Sequence, residues 1–213
     1  MEKLILSELH KEQMYRRVEH ITPHSDIYFS DHIRPTARNC FVYATHLTKS
    51  DPTIDPVVCE MGGLLHDIGY SKEFESEEND HIVKGTKMAA DILGEINMGK
   101  DHIEQIVDTI WTHDGNLNRS RYKPTPINNK IVNDVDSMQL FDWPLPTLLE
   151  FLHRLQPDRS NKEIAKGILN HVHQTFKYIS LPLSCLPINL GSANCDCCAA
   201  LSLDKGLVNL QSG

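Results

Sequence analysis

His66 and Asp67 stand next to each other within an otherwise apolar run that opens with Gly62 and Gly63. A buried helix would normally carry Val or Leu at such positions, and a buried charge pair rarely recovers the free energy of its desolvation. An imidazole and a carboxylate are favourable there when both hold a cation. The pair therefore predicts a metal site, and a local buried ion pair is the simpler alternative.

Further ligands have to come from other segments, because the side chains of neighbouring helical residues point about 100° apart. The chain offers these candidates on either side of the pair: His32, His81, His113, Asp134 and Asp136. Imidazole and carboxylate ligands suit borderline to hard ions, so we expect a divalent transition metal (Mn, Fe, Co, Ni or Zn), as one ion or two. Such an ion lowers the pKa of its water toward neutrality and neutralises charge on a phosphoryl oxygen. Hydrolysis by a metal-activated water is the reaction that these residue types favour.

In chain order the candidates read His, His-Asp, His, His and Asp, and this order resembles the HD-domain metal-dependent phosphohydrolases, an all-helical family named for its His-Asp pair. The resemblance runs from about Asp31 to Asp142. It implies that the principal metal is held by four residues: His32, His66, Asp67 and Asp136. Our mechanistic hypothesis is that His66 and Asp67 are catalytic, with Asp67 orienting the attacking water or bridging to a second ion. Asp134 stays outside this ligand set.

His81 and His113 match histidines that only some branches of the family keep, as ligands of a second metal or as phosphate-binding groups. Lys84 follows His81 by about one helical turn, and Arg119 and Arg121 lie in the polar segment after His113. All five residues are predicted to bind a second metal or the substrate phosphate. The simpler alternatives are a hydrogen-bonded core histidine at His113, a solvated helix start at His81 and a solvated loop around the arginines.

The residue that follows the His-Asp-Ile-Gly motif is Tyr70. Cyclic-dinucleotide phosphodiesterases of the HD family have a lysine there, so the resemblance to that branch is weaker. The arrangement looks more like the small bacterial HD hydrolases that act on nucleotides or pyrophosphate-type bonds. A small phosphorylated molecule, such as a nucleotide, is the substrate that this resemblance implies.

Hydrophobic residues recur at helical spacing along most of the chain, and strand-like alternation is nearly absent. The sequence therefore predicts an all-α HD-domain helical bundle. We expect a lead-in helix within residues 1–25, an HD-type phosphohydrolase domain over residues 26–180, and an irregular Cys-containing tail over residues 181–213.

The predicted helices place the candidate ligands near helix ends. Asp31 is expected to cap a helix, which puts His32 at the helix start. A central helix is predicted from Val57 to Ile68, where two glycines allow a neighbouring helix to approach closely. Later helices are predicted by periodic apolar residues within these segments: 81–93, 103–111, 127–135, 148–155 and 164–176.

The composition limits the classes of partner. A formal net charge of −8 offers no broad basic surface, which disfavours tight binding of long nucleic acid. No secretory signal and no apolar run of about 18 residues is present, so we expect a cytoplasmic protein with no membrane partner. Cys40 and Cys59 fall within helical patterns and are expected to be packed thiols. The sequence leaves open whether the protein forms a homo-oligomer.

Four cysteines of the tail raise a separate question: Cys185, Cys195, Cys197 and Cys198. Four thiols suit a structural zinc ion, but the spacing is not the paired CxxC form, so reduced thiols are the simpler interpretation. Two other functions also remain open. One is a non-catalytic regulator that binds a nucleotide or metal, and the other is oxygenase chemistry at a di-iron centre, which a few HD-fold proteins use.

Overall fold

A computed structural model of the protein describes residues 3–70, 81–113, 126–139 and 142–178. These ranges form eight α-helices: α1 (Glu8–Ile21), α2 (Arg34–Leu47), α3 (Pro56–Leu65), α4 (His81–Glu95), α5 (Lys100–Thr112), α6 (Ile127–Gln139), α7 (Leu145–Leu155) and α8 (Asn161–Tyr178). The described ranges contain no strand, and the all-α prediction is confirmed. None of the helices in these ranges is long and apolar enough to cross a membrane. The tail with its four cysteines lies outside the described residues.

Helix α3 is the centre of the fold and packs against α1, α2, α5 and α6. Its buried face is continuous from Val58 to Leu65. A Cβ atom added to Gly62 would lie 2.2 Å from Thr109 Oγ1 of α5, and one added to Gly63 would lie 2.9 Å from Cys40 Sγ of α2. The two glycines therefore admit neighbouring helices on both sides, as the sequence predicts.

The helix that carries His32 begins earlier than predicted. A π-helical turn over Phe29–Ile33 leads directly into α2, and the Arg34 N–H donates to the carbonyl of Phe29, five residues back. The wider turn accommodates Pro35, which cannot donate a backbone hydrogen bond to a preceding carbonyl. Asp31 lies inside this turn and caps nothing, so the predicted cap is wrong.

The central helix ends earlier than predicted. Helix α3 stops at Leu65, His66 is its C-terminal capping residue, and Asp67 lies in the turn that follows. The prediction of a helix up to Ile68 is therefore too long by three residues. Because the His66 and Asp67 side chains stand at and beyond the helix end, they are not held to the 100° separation of regular helical neighbours.

Helix α1 is fixed to the core by a buried ion pair. Lys11 Nζ lies 2.9 Å from Glu60 Oε2 of α3, and both side chains are at most 15% exposed. The Tyr15 hydroxyl donates to the other oxygen of Glu60 at 3.2 Å. Residues of the lead-in segment thus belong to the same packed unit as α3. Cys40 and Cys59 are buried free thiols, as expected.

Replacing Lys11 with methionine is expected to lower the free energy of unfolding by about 3 kcal/mol, because it leaves the Glu60 carboxylate buried without its cation. Urea unfolding followed by circular dichroism measures this change. The matched control is Lys100→Met, since Lys100 forms a solvent-exposed pair with Glu104. That control should change stability by less than about 0.5 kcal/mol. Equal effects of the two substitutions would contradict the role given to the Lys11–Glu60 pair.

Candidate metal centre

Helix ends from five segments meet at one cluster of histidine and aspartate side chains. His32 comes from the π-helical turn, and His66 and Asp67 come from the end of α3. His81 is the first residue of α4, His113 is the C-terminal capping residue of α5, and Asp136 lies on α6. The structure thus brings together all six histidine and aspartate residues of the predicted ligand and phosphate-binding sets, which do not include Asp134. It also holds the end of α5 against α6, because the Asn133 amide donates to the His113 carbonyl at 2.6 Å.

Four of these side chains form the first group of donor atoms. The Nε2 atoms of His32 and His66 lie 3.2 Å apart. Asp67 Oδ2 lies 3.5 Å from His32 Nε2 and 3.0 Å from His66 Nε2. Asp136 Oδ1 lies 3.2 Å and 3.1 Å from the same two nitrogens. The two histidines are therefore flanked by a carboxylate oxygen from each aspartate.

These separations fit the shell of a small divalent ion. Adjacent donor atoms lie roughly 2.9–3.5 Å apart when metal–ligand bonds are about 2.0–2.2 Å long. The donor set of two imidazoles and two carboxylates suits Mn, Fe, Co, Ni or Zn. The residues that could hold the ion are His32, His66, Asp67 and Asp136, and the first three alone already meet the spacing of a metal site.

A second group of donor atoms shares Asp67 with the first. Asp67 Oδ1 lies 3.3 Å from His113 Nε2 and 3.8 Å from His81 Nε2. These three residues also meet the spacing of a metal site. One oxygen of Asp67 thus faces each group, which is the arrangement that a carboxylate bridging two ions would have. A solvated helix start at His81 and a hydrogen-bonded core histidine at His113, the simpler interpretations, do not explain why both rings point at the same oxygen of Asp67.

The hydrogen bonds of the histidines show which nitrogen faces the cluster. His66 Nδ1 donates to the Gly63 carbonyl at 2.8 Å, and His113 Nδ1 donates to the Ile110 carbonyl at 2.6 Å, because a carbonyl can only accept. In a neutral ring the Nε2 lone pair then points at carboxylate oxygens about 3 Å away. Two acceptors repel each other at this distance unless a proton or a cation lies between them. The cluster is therefore built to hold positive charge.

Charge within the cluster shifts the pKa values of its members. Burial lowers the pKa of His66, but the carboxylates of Asp67 and Asp136 outweigh burial and hold this pKa well above its usual range. His32 and His113 behave in the same way, and their pKa values are raised. Burial would raise the pKa of Asp67, but His66 and the hydrogen bonds from the other histidines keep it well below its usual range. The two carboxylates thus favour positive charge on the imidazoles at the place where the donor atoms meet.

Metal binding is expected to release protons at neutral pH, because the raised pKa values leave His32 and His66 partly protonated and a ligating nitrogen must be neutral. Affinity should therefore rise with pH, by at least about tenfold between pH 6 and pH 8. Isothermal titration calorimetry at several pH values, in two buffers with different ionisation enthalpies, measures the metal affinity and the number of protons released. An affinity that does not change with pH, with no buffer-dependent heat, would contradict this account.

The predicted phosphate-binding cations are less well supported. Lys84 lies on α4 with an exposed side chain and makes no hydrogen bond or ion pair to the cluster within the described residues. Its role stays a prediction. Arg119 and Arg121 lie outside the described residues.

Sequence reasoning missed a set of aromatic side chains beside the cluster: Tyr28, Trp143 and Phe151. The Tyr28 hydroxyl donates to Asp67 Oδ2. Its ring stacks on Phe151 of α7, with 5.0 Å between ring centroids. The Trp143 ring stands edge-on to His32. A possible signal was the spacing of Tyr28 and His32, which are four residues apart and share a helical face once the helix is known to begin before His32.

A comparison with protein families bears on the origin of this site. The model of the HD domain matches residues 29–140, which is more than half of the 213 residues. No curated protein and no solved structure matches the chain significantly. The matched range contains all six histidine and aspartate residues of the cluster, and the helical fold agrees with it. The chain therefore belongs to the HD-domain family.

Proposed function

We propose that this protein is a divalent-metal-dependent phosphohydrolase that cleaves a phosphate ester or anhydride of a nucleotide or related small molecule with an activated water. The family and the donor set support a metal-dependent hydrolase in general terms. The observation that carries the proposal is the position of Asp67, whose Oδ2 faces His32 and His66 while its Oδ1 faces His81 and His113. This arrangement suits two metal ions, one on either side of a single carboxylate.

The roles of the residues follow from their positions. His32, His66 and Asp136 would hold the first ion together with Asp67, and His81 and His113 would hold a second ion or a substrate phosphate. A divalent ion supplies a water of lowered pKa and offsets negative charge on a phosphoryl oxygen. Asp67, with an oxygen toward both groups, is the residue placed to orient the attacking water.

Burial of the cluster favours a small substrate. His66 is fully buried, and His32, Asp67 and His113 are each at most 6% exposed. The Asp136 and His81 side chains are more accessible, at 19% and 13%. A phosphoryl group could reach the cluster from the side of these two residues, and the low dielectric of the surroundings would strengthen its interaction with the ions.

The test is release of phosphate and pyrophosphate by purified, metal-stripped protein that is resupplied with Mn²⁺, across a panel of nucleotides. The His66→Ala protein should be inactive. His46→Ala is the matched control, because His46 is an exposed histidine on α2. Release by wild type and His46→Ala, but not by His66→Ala or by stripped protein, supports the proposal. Absence of release from every compound contradicts it.

A second candidate is oxidation at a di-iron centre, which the sharing of Asp67 between two donor groups also favours. Protein purified with two iron ions per chain, together with oxygen consumption in the presence of a substrate, would favour this candidate over hydrolysis. A protein that binds metal and a nucleotide without turnover would instead be the regulator that the sequence leaves open.

A further inference from the structure

Tyr28 is fixed beside the metal centre by aromatic rings on several sides. It lies one helical turn before His32, and the two rings are tilted against each other with centroids 5.0 Å apart. Phe151 stacks on Tyr28 at an angle of 7°, and Tyr70 meets it edge-on. The residue is only 8% exposed. Because the ring has so little freedom, the position of its hydroxyl is determined by packing and not by the cluster.

The Tyr28 hydroxyl donates to Asp67 Oδ2, the same oxygen that faces His32 and His66. Asp67 lies in the turn after α3, where the helix no longer constrains its side chain. A donor on one oxygen prevents the carboxylate from rotating and exchanging its two oxygens. The direction of the other oxygen, Oδ1, toward His81 and His113 is fixed at the same time.

We infer that Tyr28 is a positioning residue that holds the Asp67 carboxylate with Oδ2 toward the first donor group and Oδ1 toward the second, so that both groups can bind an ion. This inference rests on the proposed metal centre. It adds a residue that lies just before the matched family range, which begins at residue 29.

The two ions should depend on Tyr28 to different degrees. In the first group three other residues remain if Asp67 rotates: His32, His66 and Asp136. The second group retains only His81 and His113 among the described residues. A carboxylate that is free to turn both oxygens toward the first ion therefore costs the second ion one of its three protein ligands. Loss of a hydrogen bond to a metal ligand typically lowers metal affinity by about 10- to 100-fold.

The experiment compares Mn²⁺ binding by wild type and Tyr28→Phe, which keeps the ring and removes only the hydroxyl. Calorimetry gives the two dissociation constants, and electron paramagnetic resonance reports whether two Mn²⁺ ions are magnetically coupled. We expect the weaker site to lose about 10- to 100-fold in affinity, with the coupled signal replaced by that of isolated ions. The first site should change by less than about threefold. Tyr15→Phe is the control, because it removes a phenol that donates to the carboxylate of Glu60, away from the metal centre.

The outcomes separate this inference from the proposed function. Wild type that binds no metal overturns the proposed metal centre. If wild type binds two ions and Tyr28→Phe binds them with the same two dissociation constants, the positioning role alone is overturned. Equal weakening of both sites, together with a lower melting temperature, would show a general packing defect and would also overturn it. In Fe³⁺-loaded wild type, a phenolate-to-iron absorption band that Tyr28→Phe lacks would make Tyr28 a ligand, which contradicts its role as a donor.

Discussion

Replacing Asp67 with alanine is expected to lower kcat by on the order of 10³-fold or more while the helical fold is kept. Asp67 is the only side chain of the cluster with contacts to all four histidines within the described residues. Its removal takes a ligand from both donor groups at once and leaves no carboxylate between them. The fold should persist because Asp67 lies in a turn and not inside α3.

Steady-state phosphate release with the substrate found in the nucleotide panel measures this effect. Metal content by mass spectrometry should fall from two ions per chain to one or none. The control is Asp91→Ala, since Asp91 is an exposed carboxylate on α4 whose loss should leave kcat unchanged. Far-UV circular dichroism of both variants tests the fold. An Asp67→Ala protein that keeps its turnover would exclude Asp67 from the reaction.

The fold class, and the candidacy of His66 and Asp67, could be predicted because they depend on strong local signals. The other members of the cluster were identified only through the resemblance to the HD-domain family. The all-α fold follows from periodic apolar residues in every described helix, as in α5, where Ile106 and Ile110 are fully buried. A histidine and an aspartate in an apolar run are costly without a ligand, which is why His66 and Asp67 could be identified as candidates from their neighbours alone.

The positions of helix ends were harder to predict, and that error concealed Tyr28. The sequence places a helix start at Asp31, because aspartate is a favoured capping residue and Pro35 is tolerated only in the first turn of a helix. In the structure the helical backbone continues upstream through a π-helical turn. Tyr28 then shares a face with His32, and a contact with Asp67 follows that no local pattern contains. Propensity rules describe regular α-helices and do not anticipate the wider turn.

The tertiary contacts of small residues could not be predicted from the sequence either, and Gly69 is the clearest case. Gly69 lies two residues after Asp67 in the motif, but the reason for glycine lies twelve residues away. A Cβ atom at Gly69 would lie 1.7 Å from the carbonyl oxygen of His81 and 2.7 Å from the backbone nitrogen of Gly85. The first turn of α4 therefore rests directly on the backbone of Gly69. We expect this contact to position His81 at the cluster.

Replacing Gly69 with alanine is expected to lower the free energy of unfolding by about 3 kcal/mol, because the new methyl group meets backbone atoms that can move only with the whole of α4. For a chain of this size the melting temperature should fall by roughly 6–12 °C. Displacement of α4 would also carry His81 away from Asp67. The affinity for the second ion should thus fall by at least about 100-fold, more than for any change to a single hydrogen bond.

Two glycines of α4, Gly85 and Gly94, provide matched controls for this substitution. A Cβ at Gly85 would meet the Gly69 nitrogen at 3.2 Å, whereas a Cβ at Gly94 would have no atom within 4 Å. Gly94→Ala should raise stability by about 0.5–1 kcal/mol, since alanine is the better helix former. The change in stability caused by Gly85→Ala should lie between those caused by Gly69→Ala and Gly94→Ala. Thermal unfolding of the three variants tests this order of stability, and calorimetry with Mn²⁺ tests the affinity for the second ion. A Gly69→Ala protein as stable as Gly94→Ala would contradict the close packing of the turn against α4. If Gly69→Ala loses stability but binds both ions normally, the contact supports the fold without positioning His81.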